Sequence, residues 1–323
     1  MSREQAAQWI SRRLRLLVVL TALASTFTAL ASAHWFLELF SHFALHYAAS
    51  ALLLAAALAA LGSRRWAGAA LVIAIANNFM IWQAMPAQKR PDHARAGPQL
   101  SIFHFNGAVR NHEPQRVVEY LLANAQRVDV VVLIEANARW MSALERLETA
   151  FPHVVQSPHE SPFGLAVLSR HKPDTADVVA APSGYRHIEI RLIAPGAARP
   201  VRIYAVHAPP PISAEMAAAR NEKLEYIARM VRGRPHEAAI VVGDFNLTPY
   251  SPHFRRFAQS SGLHWASSSW LPQATWPALF GSAWFGIPID HSFIAPGMNL
   301  ISRRVGPDMG SDHLPVQLTV ALE

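Results

Sequence analysis

The chain has no cysteine. That excludes disulfides, thiolate metal sites and cysteine nucleophiles, although a cysteine-free protein survives in either redox environment. Charge is scarce as well: 16% of the 323 residues are Asp, Glu, Lys or Arg, while 51% are hydrophobic. Such a balance is unusual for a soluble enzyme of this size. The imbalance is local. Residues 1–96 hold nine Lys/Arg and three Asp/Glu, whereas residues 97–323 hold twenty and nineteen. The net charge of +7 therefore belongs mostly to the N-terminal third. The remainder is nearly neutral and lacks the broad basic surface that holds polyphosphate by charge alone. Pairs such as Arg255-Arg256 and Arg303-Arg304 read as solvated surface.

The apolar excess is concentrated in three runs, Leu16 to Ala33, Phe43 to Leu61 and Trp66 to Met85. Each is close to the roughly 20 residues that a helix needs to cross a bilayer. His34-Trp35-Phe36-Leu37-Glu38 joins the first two with interfacial aromatics, and Gly62-Ser63-Arg64-Arg65 joins the next two. Arginines at the N-terminus and at Arg64-Arg65 mark the cytoplasmic side, which places everything after Met85 on the far side. Lys89, Arg90 and Arg95 oppose this, three charges against six. The same start also reads as a signal peptide, with Ser11-Arg12-Arg13 ahead of an apolar run ending in Ala31-Ser32-Ala33. Sidedness is unchanged by that alternative. The expectation is a multi-pass anchor over 1–85 in the inner or plasma membrane and a linker over 86–98. A domain over 99–323 then faces the periplasm or exterior.

In that domain, strand patterns alternate with helices. Leu100 to Phe105, Val128 to Ile134, Gly164 to Leu168, His187 to Ile193 and Val201 to Val206 read as strands, as do Ser292 to Ile294 and Pro315 to Ala321. Helices are expected over Glu113 to Gln126 with Pro114 in the first turn, Arg139 to Ala150, Ser213 to Arg232 capped by Ser213, and His253 to Gln259. The fold class is α/β, with two stacked, mostly antiparallel β-sheets flanked by helices as a four-layer sandwich behind an all-α transmembrane segment.

Ile240-Val241-Val242-Gly243-Asp244-Phe245-Asn246 reads as a buried strand broken by Gly243, with a carboxylate and a carboxamide spaced by two on one side. Taken alone, that ending is an ordinary turn. Its company changes the balance. Glu135, His207, Asp290 and the Asp312-His313 pair each stand at the end of an apolar run or just before the terminal strand. A packed sheet has no need of so many ionisable strand ends; an active site along one edge of a sandwich does. Carboxylates with an amide, and no His-x-x-x-His pair within residues 97–323, suit a hard cation such as Mg²⁺ or Mn²⁺ rather than zinc. His313 suits general acid–base work, and Asp290 is the partner that would fix its tautomer.

In these residues the chain resembles the endonuclease/exonuclease/phosphatase superfamily, whose members include pancreatic-type deoxyribonuclease, apurinic endonucleases, inositol phosphatases and bacterial sphingomyelinases. The resemblance covers about residues 98–322. It rests on Phe105-Asn106, Ile134-Glu135, Val206-His207, Gly243-Asp244-Phe245-Asn246, and Ile289-Asp290 with Ser311-Asp312-His313, in the family's order. It implies that Glu135, Asn106 and Asp312 hold the metal. It implies that Asp244 positions the attacking water or acts as base, and that Asn246 and His207 bind the phosphate. His313, oriented by Asp290, is then general acid/base or oxyanion stabiliser. His207-Ala208-Pro209 departs from the tyrosine-containing loop of apurinic endonucleases and points to the deoxyribonuclease and sphingomyelinase branches. The glutamate that pairs with this histidine in deoxyribonucleases has only Glu160 as a counterpart.

The implied activity is a membrane-anchored, metal-dependent phosphodiesterase acting on nucleic acid or a phospholipid headgroup. The competing class is a non-catalytic interaction module on the same fold. His253, His264 and His291 read as surface or supporting residues. Trp276 reads as core, while Trp270 and Trp284 are open to core or to ligand contact in a long loop, Leu271 to Pro288.

Overall fold

The computed structural model describes residues 3–85, 88–89, 97–267, 269, 271–279, 282–283 and 285–322. They form two compact units, Met1–Met85 with Leu247–Arg255, and Pro86–Asn246 with Arg256–Glu323.

The first unit is helical: α1 (Arg3–Ala29), α2 (Trp35–Ser41), α3 (Ala44–Ala60) and α4 (Arg64–Ala84). Buried alanines (Ala44, Ala48 and Ala51 on α3, Ala70 and Ala74 on α4) let the helices approach closely. Asn77 on α4 donates to Ser25 Oγ on α1 at 2.8 Å. At the other end of α1, Ser11 Oγ lies 2.9 Å and Arg15 Nη2 3.2 Å from Ser63 Oγ. Of the three expected spans, α4 alone is long and apolar enough by itself among the described residues. A second arises if α2 and α3, bent by 55°, count as one; α1 is not among them. Glu38, in the segment that joins the first two apolar runs, is completely buried.

Among its described residues the second unit carries thirteen strands: β1 (Gln88–Lys89), β2 (Gln99–Asn106), β3 (Val130–Ile134), β4 (His153–Ser157), β5 (Leu165–Ser169), β6 (Thr175–Ala180), β7 (Arg186–Leu192), β8 (Val201–His207), β9 (Ala238–Asp244), β10 (His264–Ala266), β11 (Asp290–Ile294), β12 (Asn299–Val305) and β13 (Val316–Ala321). They make a seven-stranded sheet, β1-β10-β11-β9-β8-β7-β6, and a six-stranded sheet, β12-β13-β2-β3-β5-β4. Pairing is antiparallel except for β1–β10, β8–β9 and β2–β3. The expected linker therefore contains a two-residue strand, β1, and most of the rest of it lies outside the described residues.

Alternation along the central strands decides which side chains meet. Leu100, Ile102, Val130, Val132, Ile203, Ile240 and Val242 form one apolar cluster with residues of both sheets. Each such fully buried side chain contributes roughly 1.5–3 kcal/mol. The opposite face of the six-stranded sheet packs Phe103, Phe105, Val131 and Leu133 against Val117 and Leu121 of α5 (Pro114–Ala123) and Trp140 of α6 (Ala138–Leu144). Both helices end earlier than expected, at Ala123 and Leu144, and each is followed by a 3₁₀ turn. Ser213 caps α7 (Ala214–Arg232) as expected, its hydroxyl accepting from Met216 N at 3.2 Å. A last helix, α8, covers Pro252–Ser261.

Gly243 does not break its strand. It pairs with Val206 and His291 inside the sheet at φ +138°, and a Cβ there would stand 1.9 Å from Val206 O. Only glycine allows so close an approach.

Candidate active site

The site lies where the parallel pairs β2–β3 and β8–β9 end. Asn106 stands opposite Ile134 in the β2–β3 ladder, and Glu135 follows at once. His207 stands opposite Asp244 in the β8–β9 ladder, and Asp290 opens β11 directly across from Asp244. Asn106 and Asp244 share the alternation phase of Ile102 and Val242, so both point toward the space between the sheets. There Asn106 Nδ2 donates to Asp244 Oδ2 at 3.0 Å and to Glu135 Oε1 at 3.2 Å. One layer deeper, His104 Nε2 lies 3.0 Å from Ser292 Oγ. The inter-sheet core thus turns from aliphatic to polar as it nears this edge.

Around Asp244 the contacts are dense. Its Oδ1 accepts from Asn246 N at 2.8 Å, and its Oδ2 lies 3.8 Å from Nε2 of both His207 and His313. Nδ1 of His313 lies 2.9 Å from Asp290 Oδ2. Asn246 is past the end of the strand at φ +49°, so a turn, not strand alternation, brings it beside Asp244. Its Nδ2 donates to Ala208 O at 2.9 Å. Glu135 and Ala108 also have positive φ, +62° and +57°. Such backbone costs about 1–3 kcal/mol per residue and clusters at functional sites.

The electrostatics separate the two histidines. Burial lowers His207 to about 3, helped by Lys223, so its ring is neutral. Burial also pulls His313 down, but the carboxylates of Asp290, Asp244 and Asp312 outweigh it and hold the ring at about 9. Burial and the facing Asp290 raise Asp244 to about 7. Burial pushes Asp290 up as well, but the His313 ring overrides this and keeps Asp290 below its ordinary value. Burial raises Glu135 despite the N–H of Val109, which donates to its Oε2 at 2.8 Å.

Glu135 and Asp312 line one cleft of about 840 Å³, together with Arg110, Asn137, Arg139 and Glu160 among others. Asp312 is exposed and accepts from Trp276 Nε1 at 3.0 Å, so Trp276 is a half-buried contact of a site residue and not core. Glu160 accepts from Ala138 N at 3.2 Å; among the described residues no bond joins it to His207. Trp270 and Trp284 lie outside the described residues. His291 is buried between Phe245 and Trp265, and His253 and His264 are half-buried.

Two donor sets merit comparison as a metal site. Asp244, Asp290 and His313 bring ligand atoms within 4.8 Å of one another. His313 is engaged with Asp290, however, and a ring that keeps its proton to about pH 9 already supplies the positive charge there. Glu135 is different. Its carboxylate is stressed by burial, opens on the cleft that Asp312 lines, and touches the Asn106 amide, and hard oxygen donors of this kind fit Mg²⁺ or Mn²⁺. Asn106 turns its amide nitrogen toward the carboxylates and its oxygen to Ala108 N at 3.1 Å, so it would offer an oxygen ligand only after the amide flips.

Several supporting groups escape a sequence reading. Lys223, fully buried on α7, donates 2.6 Å bonds to His207 O and Arg186 O. Arg303, read as surface, is buried on β12 and donates to Asp290 O at 2.9 Å. Thr275 Oγ1 accepts from Asp290 N at 3.3 Å, and Ser311 Oγ donates to Asn106 O at 2.8 Å. A hydroxyl or a cation that serves a backbone atom leaves no spacing pattern to find.

Two mixed sheets flanked by helices, with acidic, amide and imidazole side chains gathered at one edge, define an endonuclease/exonuclease/phosphatase-type domain. Residues 102–313 match the Endonuclease/Exonuclease/phosphatase family, and the chain belongs to it. No curated protein sequence matches the chain. Among solved structures, the fold is similar to an endonuclease/exonuclease/phosphatase from Beutenbergia cavernae DSM 12333, at TM-score 0.55 and 21% identity over 70% of this chain and 72% of that one. It is similar to D. rerio TDP2 complexed with single strand DNA product, at TM-score 0.55 and 16% identity over 69% and 98% of the two chains. A family protein from Leptotrichia buccalis C-1013-b aligns at TM-score 0.53 and 16% identity, over 68% and 98%. At such identities the likeness is one of fold.

Proposed function

We propose that this protein is a membrane-anchored, divalent-metal-dependent phosphodiesterase. The observation that carries the reading is the placement of Asp244. It is held by the Asn106 amide, faces both imidazoles at 3.8 Å, and stands beside the His313–Asp290 pair.

In the proposed reaction Asp244 orients a water and takes its proton as the water oxygen bonds to phosphorus. The neutral His207 ring and the second N–H of the Asn246 amide donate to the phosphoryl oxygens. His313 Nε2 gives its proton to the departing alkoxide as the P–O bond breaks, while Asp290 holds the Nδ1 proton in place. Glu135 and Asp312, with Asn106 once flipped, would hold the cation. When bound, it offsets negative charge that develops on the phosphoryl group.

Anchoring is supported by apolar side chains that α3 and α4 leave exposed, among them Leu53 at 72%, Val72 at 66%, Ile75 at 62% and Trp82 at 67%. The bonds from Ser11 and Arg15 to Ser63 gather arginines of α1 and of the α3–α4 turn at one end of the bundle. That end is the cytoplasmic one in this reading, and the catalytic domain faces the periplasm or exterior. Alkaline phosphatase fused after Glu323 is then active; an inactive fusion contradicts the orientation.

The substrate is a phosphodiester of nucleic acid or of a phospholipid headgroup. The full chain in nanodiscs, supplied with Mg²⁺ or Mn²⁺, tests this on single-stranded DNA and on phospholipid vesicles side by side. Cleavage of one class names the substrate. Failure on both, and on a generic phosphodiester, favours the non-catalytic module.

A further inference from the structure

Strands β7 and β8 separate where β8 reaches the site. Their antiparallel ladder runs from Leu192 opposite Val201 to Ile188 opposite Ala205 and, among the described residues, goes no further. Continued by two residues, that register would set Arg186 opposite His207, the last residue of β8. Arg186 and His187 instead pair only with β6. On its other flank β8 stays paired to the end, His207 opposite Asp244. One side of His207 is thus held by a ladder, and the other lacks the N–H···O bonds that a ladder supplies.

Lys223 fills that gap. Its Nζ donates to Arg186 O and to His207 O at 2.6 Å each, so one side chain joins the two strands just past the point where the ladder stops. It does so from the buried stripe of α7, directly ahead of Leu224, Ile227 and Val231. Taking an ammonium out of water is costly, and an aliphatic side chain would pack in that stripe without the cost. The cost shows in a pKa that burial lowers to about 7. What lysine supplies that an aliphatic residue would not is a pair of donors for two carbonyls. The ammonium has three N–H groups and the neutral amine two, so the link survives loss of the proton. Its effect reaches past the imidazole as well, because the next carbonyl, Ala208 O, accepts from Asn246 Nδ2 at 2.9 Å.

We propose that Lys223 is a positioning residue for His207: by tying the end of β8 to the start of β7, it sets where the imidazole stands beside Asp244. Helix α7 then reaches the reaction through a backbone carbonyl, with no side chain of its own on the substrate. This rests on the proposed reading of His207 as a phosphoryl-binding imidazole.

The test uses the full chain in nanodiscs with Mn²⁺ and a generic phosphodiester. It compares wild type, Lys223→Met, His207→Ala, the Lys223→Met/His207→Ala double variant, and Val231→Ala, which loosens the same stripe away from both carbonyls. A misplacement of about 1 Å can cost on the order of 10²-fold in rate. Lys223→Met should lower kcat/KM at least tenfold, with far-UV circular dichroism and Mn²⁺-induced thermal stabilisation unchanged. Val231→Ala should lower the melting temperature and keep the wild-type kcat/KM. Because Lys223 acts through His207, the double variant should be no slower than His207→Ala. A folded Lys223→Met protein with wild-type kcat/KM overturns the proposal. So does a double variant at least tenfold slower than His207→Ala, or a Val231→Ala protein as slow as Lys223→Met. If Lys223→Met does not fold, Lys223→Gln, whose amide is one bond shorter, takes its place with the same expectation. If wild type itself is inactive, the reading of the site has failed, and spectra of protein with isotope-labelled histidine rings decide on the link. The His207 resonance, identified by its loss in His207→Ala, should move in Lys223→Met and stay in Val231→Ala; an unmoved resonance removes the link.

Discussion

Nδ1 of His313 lies 2.9 Å from Oδ2 of Asp290, both side chains buried. The pair fixes the tautomer, turns Nε2 toward Asp244, and holds the ring's pKa near 9 against the pull of burial. Because that value stands above the ordinary 6.5, the pair contributes stability that is fully present below about pH 6.5 and is lost as the pH rises through 9. Asp290→Asn should therefore be much less stable than wild type at pH 6, with the gap closing by pH 10. Denaturant titrations at the two pH values measure the gap, and the His313 ring resonances in the metal-free protein should titrate at a lower pH in the variant.

Lys223 has the opposite sign. Burial lowers its pKa from 10.5 to about 7, so its contribution to stability is least below about pH 7 and grows as the pH rises toward 10.5. Lys223→Met should abolish this rise. It also removes a donor from the part-buried Arg186 O and from the buried His207 O, the latter at about 1–3 kcal/mol for a buried acceptor that loses its donor. Wild type and variant compared across pH 6 to 10 would reveal both effects.

Gly243→Ala should prevent folding of the catalytic domain. The added methyl would lie 1.9 Å from Val206 O at φ +138°. Backbone must move, and a cost above about 4 kcal/mol is expected of so severe a clash. Loss of the cooperative thermal transition checks it; a soluble variant with a wild-type melting temperature contradicts it.

Metal binding can be read without turnover. Mn²⁺ at about a hundred times its dissociation constant should stabilise the protein by ~2.7 kcal/mol. Glu135→Ala should lose most of that gain, whereas Asp290→Asn should keep it, because Asp290 is engaged with His313 and not assigned to the cation. Thermal shifts with and without Mn²⁺ separate the two. Retention in Glu135→Ala with loss in Asp290→Asn would move the metal to the Asp244–Asp290–His313 cluster.

The sequence showed the centre of the domain well and its edges poorly. Continuous apolar runs such as Val130–Ile134 and Ile240–Val242 are buried on both faces, and each carries a site residue at or just past its end, which is why both were readable. β6 is an exposed edge strand whose residues need no apolar pattern, and β12 carries two arginines, so neither stands out before its partner strand is known. Gly243 was misread because a strand glycine usually marks a break, whereas here it admits the Val206 carbonyl. The burial of Glu38 had no sequence signal, because its partner Ser251 lies 213 residues away.

The central claim is metal-dependent phosphodiester hydrolysis through His313. The most direct test is the turnover of a generic phosphodiester by the full chain in nanodiscs, with Mn²⁺ or EDTA, beside His313→Ala. Losing a general acid or base lowers a rate by about 10²–10⁴-fold. The account predicts turnover in Mn²⁺, none in EDTA, and a drop of that size in the variant; Mn²⁺-dependent turnover that His313→Ala leaves unchanged would contradict it.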